Sequence, residues 1–286
     1  MPSTKTGNAL RIALPSIRHN KDGFEGLVHL YEETKGLFLQ DVEIDFGTTH
    51  WFDADMCAPL GAILYKLGED LNTVHLINLE HQVQKVLCKN GFLSSYGGEK
   101  VHDKWGTTIP YQKFDTKDDR FFASYVEREF MKRKELPQMT VGLRKKFRES
   151  VFEIFSNAVI HSETKEGIFS CGQFFPSRHS IDFCVTDLGI GIRRNVQEKV
   201  GIDLAPEEAI KWAITDGNTT KTGPIPGGLG LKLLREFVTL NQGKMQIVSD
   251  AGYWCLSKGQ TTTAVLSAAY PGTVVCLEVN TQDQSS

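Results

Sequence analysis

The sequence predicts an α/β unit followed by an α/β sandwich of the α+β kind, helices over a mixed sheet. Three observations carry that expectation. Between residues 10 and 93, short apolar runs alternate with helix-period patterns, the signature of α/β layering. From Ser94 to Gly106 the composition shifts to Ser, Gly and charge, which marks a junction. Beyond it, helical patterns come first and strand-like runs follow in groups. The units are therefore bounded at 1–106 and 107–286, and a chain of 286 residues is long enough for each to bury a core of its own.

In order, Leu10 to Leu14 reads as a strand, and Phe24, Leu27, Val28 and Tyr31 recur at helical spacing. Val42 to Phe46 is a second strand, and Leu60, Ile63, Leu64 and Leu67 line one face of a helix. Val74 to Leu79 is a third strand, followed by a helix with Val83, Val86 and Leu87 that stops at Asn90-Gly91, a natural terminator. Ile109 to Phe114 is a strand that either starts the second unit or packs on the first. Helical patterns follow near 119–134 and 142–161, the second carrying Leu143, Phe147, Val151, Ile154, Phe155 and Ala158 on one face. Ile168 to Phe174 and Ser180 to Thr186 read as a hairpin, and Lys244 to Ser249, Thr261 to Ala268 and Thr273 to Val279 as three further strands.

Charged residues make up 23% of the chain and balance to −3, so no global field draws it to nucleic acid or anionic lipid. Lys132-Arg133-Lys134 reads as a solvated helix face. The six cysteines, at 57, 88, 171, 184, 255 and 276, form no C-x-x-C pair and read as reduced core residues of a cytoplasmic protein. No signal-like segment or apolar run of about 18 residues is present, so neither secretion nor membrane spanning is expected.

Three fragments carry chemistry. In the helix at 142–161, Glu149, Glu153, Asn157 and His161 stand four apart and form a polar stripe beside the apolar face. Such a stripe alone fits a solvated flank, but Asn157 has modest helix propensity and calls for a reason. Asp187-Leu-Gly189-Ile-Gly191-Ile is a carboxylate beside a glycine turn, and alone it fits any strand end. Gly227-Gly228-Leu229-Gly230-Leu231 opens a helix with Leu231, Leu234 and Val238 on one face. Its free N–H groups and helix dipole suit phosphate. The specific signal is the set: helix, strand end and helix start in this order.

With those fragments the chain, over about residues 140–280, resembles the GHKL superfamily. Its members include gyrase-type and chaperone ATPases, histidine kinases, mismatch-repair ATPases and anti-sigma-factor serine kinases. The resemblance implies a Bergerat-fold domain that binds ATP and Mg²⁺. It makes Asn157 the magnesium ligand and Asp187 the acceptor of the adenine amino group. Gly189 and Gly191 would let the backbone approach the base, Gly228, Leu229, Gly230 and Leu231 would cradle phosphates, and Thr273 would sit near the adenine. The segment between Ile192 and Pro226 looks like the ATP lid, a loop whose Lys221, in Thr219-Thr220-Lys221, reaches the terminal phosphate. Glu153 holds the place of the general base. That place serves a water-activating ATPase and a serine/threonine kinase alike, and a third reading is a nucleotide-sensing module without turnover. His161 reads as structural, because no helix resembles a phosphotransfer hairpin.

The first unit is similar to a STAS domain, on Val42-Glu-Ile-Asp-Phe46, Phe52-Asp-Ala-Asp55, Leu60-Gly-Ala-Ile-Leu64, Val74-His-Leu-Ile77 and Val86 to Leu93. Where STAS proteins carry a phosphorylated serine this chain holds Ala54 and Asp55, with Cys57 beyond. Self-phosphorylation there is not expected, and Asp55 reads as a solvated loop carboxylate or as an imitation of phosphoserine. The expectation is an ATP-binding regulatory protein, acting alone or as a homodimer, with ATP and a regulatory protein as partners and no nucleic acid or membrane.

Overall fold

The computed structural model describes residues 4–6, 9–220 and 229–282. The first part is a four-stranded sheet in the order β1-β2-β3-β4, formed by Thr4–Thr6, Ala9–Ala13, Asp41–Asp45 and Thr73–Ile77. Strands β2, β3 and β4 run parallel, and β1 is antiparallel at the edge. Helices α1 (Lys21–Thr34), α2 (Cys57–Glu69) and α3 (His81–Lys89) make the connections. Asn20 opens α1 by accepting the Gly23 N–H at 3.0 Å, which satisfies one donor that the first turn leaves free. After α3, Gly91 takes φ 81°, the left-handed conformation that stops a helix.

The second part is a five-stranded sheet ordered β5-β6-β7-β9-β8, with β5 Thr108–Phe114, β6 Ile168–Phe175, β7 Ser180–Asp187, β8 Lys244–Ser257 and β9 Gln260–Asn280. Every pairing is antiparallel, which corrects the expected mixed sheet. Hydrophobic period shows that a strand exists but not its direction, and here tight turns set the direction. Lys258 and Gly259, both at positive φ, join β8 to β9 in a two-residue hairpin. The break expected between Ala268 and Thr273 does not occur, because Pro271 and Gly272 lie inside one long strand beside the register shifts of β8, where such residues are tolerated. Strand β5 belongs to this second sheet.

Helices α4 (Asp119–Tyr125), continued by a π-helical stretch at Val126–Met131, and α5 (Val141–His161) cover one face of the second sheet with α8 (Leu229–Leu240). Thr140 caps α5 by accepting the Leu143 N–H at 3.2 Å. The other face is covered by the first part. A single apolar core joins Phe24, Leu27, Leu60 and Ile63 of the first part to Phe169, Val248, Tyr270 and Val274 of the second. Strand β7, buried along its whole length, is the shared partition. Its Ile181, Phe183 and Val185 face the helices, and Cys184 faces the first part, as strand alternation requires.

Two expectations about single residues change. Cys184 and Cys276, read as separate core residues, stand directly opposite on β7 and β9 with Cα atoms 4.1 Å apart and their sulfurs in contact. Cross-strand neighbours bring their side chains together, and a separation of 92 residues hides that in the sequence. Asp55 is fully buried, so it is neither a solvated carboxylate nor an exposed imitation of phosphoserine. Its strand-facing position comes from a 3₁₀ turn at Ala54–Met56 that packs on β6, where the Ala54 N–H donates to Gln173 Oε1 at 2.9 Å.

Candidate functional site

Asp187 ends β7 on the floor of a cavity that encloses about 940 Å³, counting the space open to solvent. The walls come from α5 (Ile154, Asn157, Ala158), α6, Gly191–Val200 (Ile192, Asn195, Val196), α7, Pro206–Ala213 (Trp212, Ala213), and Leu231 of α8. Ile247, Thr273 and Val275 of the sheet form the floor around Asp187. Most of this lining is apolar, which favours a flat hydrophobic ring, while the few polar side chains set its orientation.

The Asp187 carboxylate is held at its base. Gly189 donates its N–H to Oδ1 at 2.8 Å, and the Thr273 N–H and Ser162 stand near enough to favour the charged form. Burial nevertheless dominates and pushes the Asp187 carboxyl up to about 7, because a low-dielectric wall disfavours the charged form more than these neighbours favour it. Thr273 pairs with Asp187 across β7 and β9, and its Oγ1 lies 3.0 Å from Ser249 Oγ. Ser249 Oγ in turn accepts the Ile192 N–H at 2.8 Å, which ties the start of α6 to the pocket floor.

The glycines divide by role. Gly191 lines the cavity at φ 75°. Gly189 does not line it, and its missing side chain serves a structural need instead, since a Cβ there would lie 2.0 Å from the Ser162 carbonyl oxygen. Gly272, not singled out by the sequence reading, is under the same constraint, with a would-be Cβ 2.1 Å from the Asp187 carbonyl oxygen. A tight Pro-Gly step inside a strand was the signal available for it.

Asn157 is on the cavity wall and half-buried. Glu153, one turn earlier on α5, is half-buried and does not line the cavity. The expected single loop between Ile192 and Pro226 is corrected: its first two thirds fold into α6 and α7. Gly201 at φ 79° ends the first helix, and Pro206 begins the second. Pro at a first helical position and Gly past the end are stop and start signals. Thr219 and Thr220 line the cavity. Lys221 and Gly228 lie outside the described residues, as do the side chains of His161, Leu229 and Gly230. The backbone of Leu229 and Gly230 opens α8.

Ser162, Asn195, Trp212, Ile214 and Asn218 also line the cavity and were not legible as site residues. Ser162 follows the α5 stripe directly, whereas Asn195 and Trp212 lie on α6 and α7 and Ile214 and Asn218 in the turn after α7, all within the segment expected to be one loop. No protein-family model matches the chain, and no curated protein matches it at a significant level.

Proposed function

We propose that this is an ATP-binding regulatory protein with a GHKL-type nucleotide site joined to a STAS-like module. The observation that carries the reading is the buried Asp187 carboxylate at the floor of an apolar cavity. A buried acceptor held by the Gly189 N–H suits an exocyclic amine, and the aliphatic walls suit the face of a purine. Residues present fit Mg²⁺ in part. Asn157 offers an oxygen ligand of the hard type magnesium takes, and the ion would supply charge neutralisation for phosphates. The start of α8 offers backbone N–H groups to an anion.

Glu153 is the base in this proposal, and hydrolysis that switches inter-domain or partner contacts is its outcome. Its position off the cavity lining favours one second reading, a nucleotide-sensing module without turnover. A serine/threonine kinase would need a separate substrate protein, since the positions matching the STAS serine, Ala54 and Asp55, are fully buried. Incubation of the pure protein with radiolabelled ATP separates the three. Free phosphate supports the ATPase, label on an added STAS protein supports the kinase, and ATP binding with neither supports the sensor. Absence of ATP binding by calorimetry overturns the whole proposal.

A further inference from the structure

On the opposite side of β7 from the cavity, three ionisable side chains from separate parts of the chain meet in the apolar core. His19 comes from the loop before α1, Asp55 from the 3₁₀ turn before α2, and Asp182 from β7 itself. His19 Nδ1 lies 2.6 Å from Asp55 Oδ2 and 3.7 Å from Asp182 Oδ2, and the three side chains are at most 1% exposed. One nitrogen or oxygen from each falls within 4.8 Å of the others.

Hydrogen bonding leaves this cluster incomplete. His19 Nε2, Asp55 Oδ1 and Asp182 Oδ1 are buried and have no partner. Most buried polar atoms in proteins are paired, and a group that is not calls for a water, an ion or a catalytic role. Three in one cluster is a concentrated deficit. Charge is balanced only with help from outside the three. One imidazolium can balance one carboxylate, and the other has Arg178, 3.0 Å from Asp182 Oδ2 but 41% exposed. Burial pushes the Asp182 carboxyl up to about 7, with His19 opposing and Asp55 and Glu278 adding to the shift. For His19, burial works against the charged form, but the charge and hydrogen bond of Asp55 outweigh it and hold the ring above its ordinary value.

We infer that His19, Asp55 and Asp182 form a binding site for a divalent transition-metal ion of the zinc class, which fastens the first part of the chain to the second sheet. Ligand atoms about 2.0–2.1 Å from a tetrahedral ion stand roughly 3.3 Å from one another, and the two imidazole-to-carboxylate distances, 2.6 and 3.7 Å, bracket that value. One nitrogen and two carboxylates suit zinc or manganese, whereas calcium needs six or more oxygens. The backbone of His19 is already fixed for the task. Its N–H donates to Asp53 Oδ2 at 2.8 Å, and its carbonyl accepts from Lys244 Nζ at 2.7 Å and Gln246 Nε2 at 3.3 Å. Cys184 and Cys276 lie within 4.8 Å of Asp55 with their sulfurs in contact with each other, and a nitrogen and oxygen shell distinguishes the His19 site from one that uses them. Binding replaces the proton between His19 and Asp55 with the ion and releases it to solvent. The site needs no nucleotide, so it stands whether or not the cavity binds ATP.

The test uses the full chain without a histidine tag. Elemental analysis of the purified protein, followed by chelation and zinc titration against a competing chelator, should give one ion per chain. Chelation should lower the melting temperature, and zinc should restore it. His19→Gln and Asp182→Asn should each weaken zinc by about 100-fold or more, beyond the roughly 10–100-fold typical of an outer-shell change. Because either variant can fail to fold, X-ray absorption on the zinc-loaded parent gives an independent reading, a nitrogen and oxygen shell with an imidazole signature. No bound metal together with a melting temperature indifferent to zinc and chelator overturns the site. So does a sulfur shell, which would assign the ion to the cysteines, or full zinc retention in both folded variants.

Discussion

The hydroxyl of Tyr270 lies 3.0 Å from Thr186 Oγ1. The same hydroxyl reaches the Pro59 carbonyl of α2 at 3.1 Å, and Thr186 Oγ1 also reaches the Thr273 carbonyl at 3.0 Å. Thr186 is the residue before Asp187, so a short polar chain runs from the first helix layer to the strand end that carries the cavity's carboxylate. Under the proposed function this chain is a route to be tested for coupling between a ligand at Asp187 and α2. Its individual bonds are modest, and their value lies in fixing β7 against both sides.

Tyr270→Phe removes that hydroxyl and leaves the buried Pro59 carbonyl without it. The expected cost is about 0.5–1.5 kcal/mol of stability, read as a lower midpoint in urea with an unchanged slope. Under the proposed function, hydrogen exchange of α2 should also lose its response to ATP while adenine binding stays within a few-fold. An unchanged response would show that the coupling travels elsewhere.

Asp187→Asn should weaken ATP by about 1–3 kcal/mol, because an amide loses the charge-assisted bond to the amine. The Asn oxygen can still accept the Gly189 N–H, so the fold should survive. GTP, with a carbonyl where adenine carries its amine, should bind poorly to the parent. Equal calorimetric affinities for the two nucleotides refute the assignment.

ATP affinity should rise with pH between about 5.5 and 7.5, by up to about tenfold per unit. The free Asp187 carboxyl sits at about 7, and the amine favours the ionised form, so binding must expel a proton below that pH. The same shift has the opposite sign for the free protein. A carboxyl whose folded value is raised binds a proton that the unfolded chain has lost, so its contribution to stability declines as pH climbs from about 4 towards 7. Calorimetry in buffers of differing ionisation enthalpy measures the proton directly, and a buffer-independent heat at pH 6.5 would count against this account.

Glu153→Ala should keep nucleotide affinity within a few-fold and lower turnover by about 10²-fold or more if Glu153 is the base. Asn157→Ala should instead remove the magnesium dependence of binding. Parental turnover in Glu153→Ala would support the sensor reading, in keeping with the place of Glu153 off the cavity lining.

Gly272→Ala should be destabilising by about 1–3 kcal/mol or more, because the added carbon would meet the Asp187 carbonyl oxygen at 2.1 Å. Gly36, at φ 78° with nothing within 4 Å of a would-be Cβ, offers a control in which only backbone strain acts. A thermal melt that ranks Gly272→Ala no worse than Gly36→Ala would contradict the packing at the cavity floor.

Much of the element order was legible because hydrophobic period survives burial on one face. Leu60, Ile63 and Leu64 lie on α2 where their spacing placed them, and Asn90-Gly91 ends α3 as its chemistry requires. What escaped was long-range. Residues 192–213 carry glycine at 201 and proline at 206, and these marked helix ends inside what had been read as a loop. Asp182 stands within the Ser180 to Thr186 run, and nothing local reveals that His19 and Asp55 arrive beside it. Likewise the partnership of Cys184 with Cys276 depends on sheet register. At the cavity, Asp187 and Asn157 were visible as residue types in context, whereas Trp212 and Asn218 needed the path of α7.

The shared core has a practical corollary for anyone who cuts the gene at the sequence junction near residue 106. A fragment of residues 107–286 would present Phe169, Val248, Tyr253, Leu266, Tyr270 and Val274 to water as a continuous greasy floor, the kind of surface that drives proteins into inclusion bodies. The compositional seam at residue 106 thus runs beside a core that both parts share.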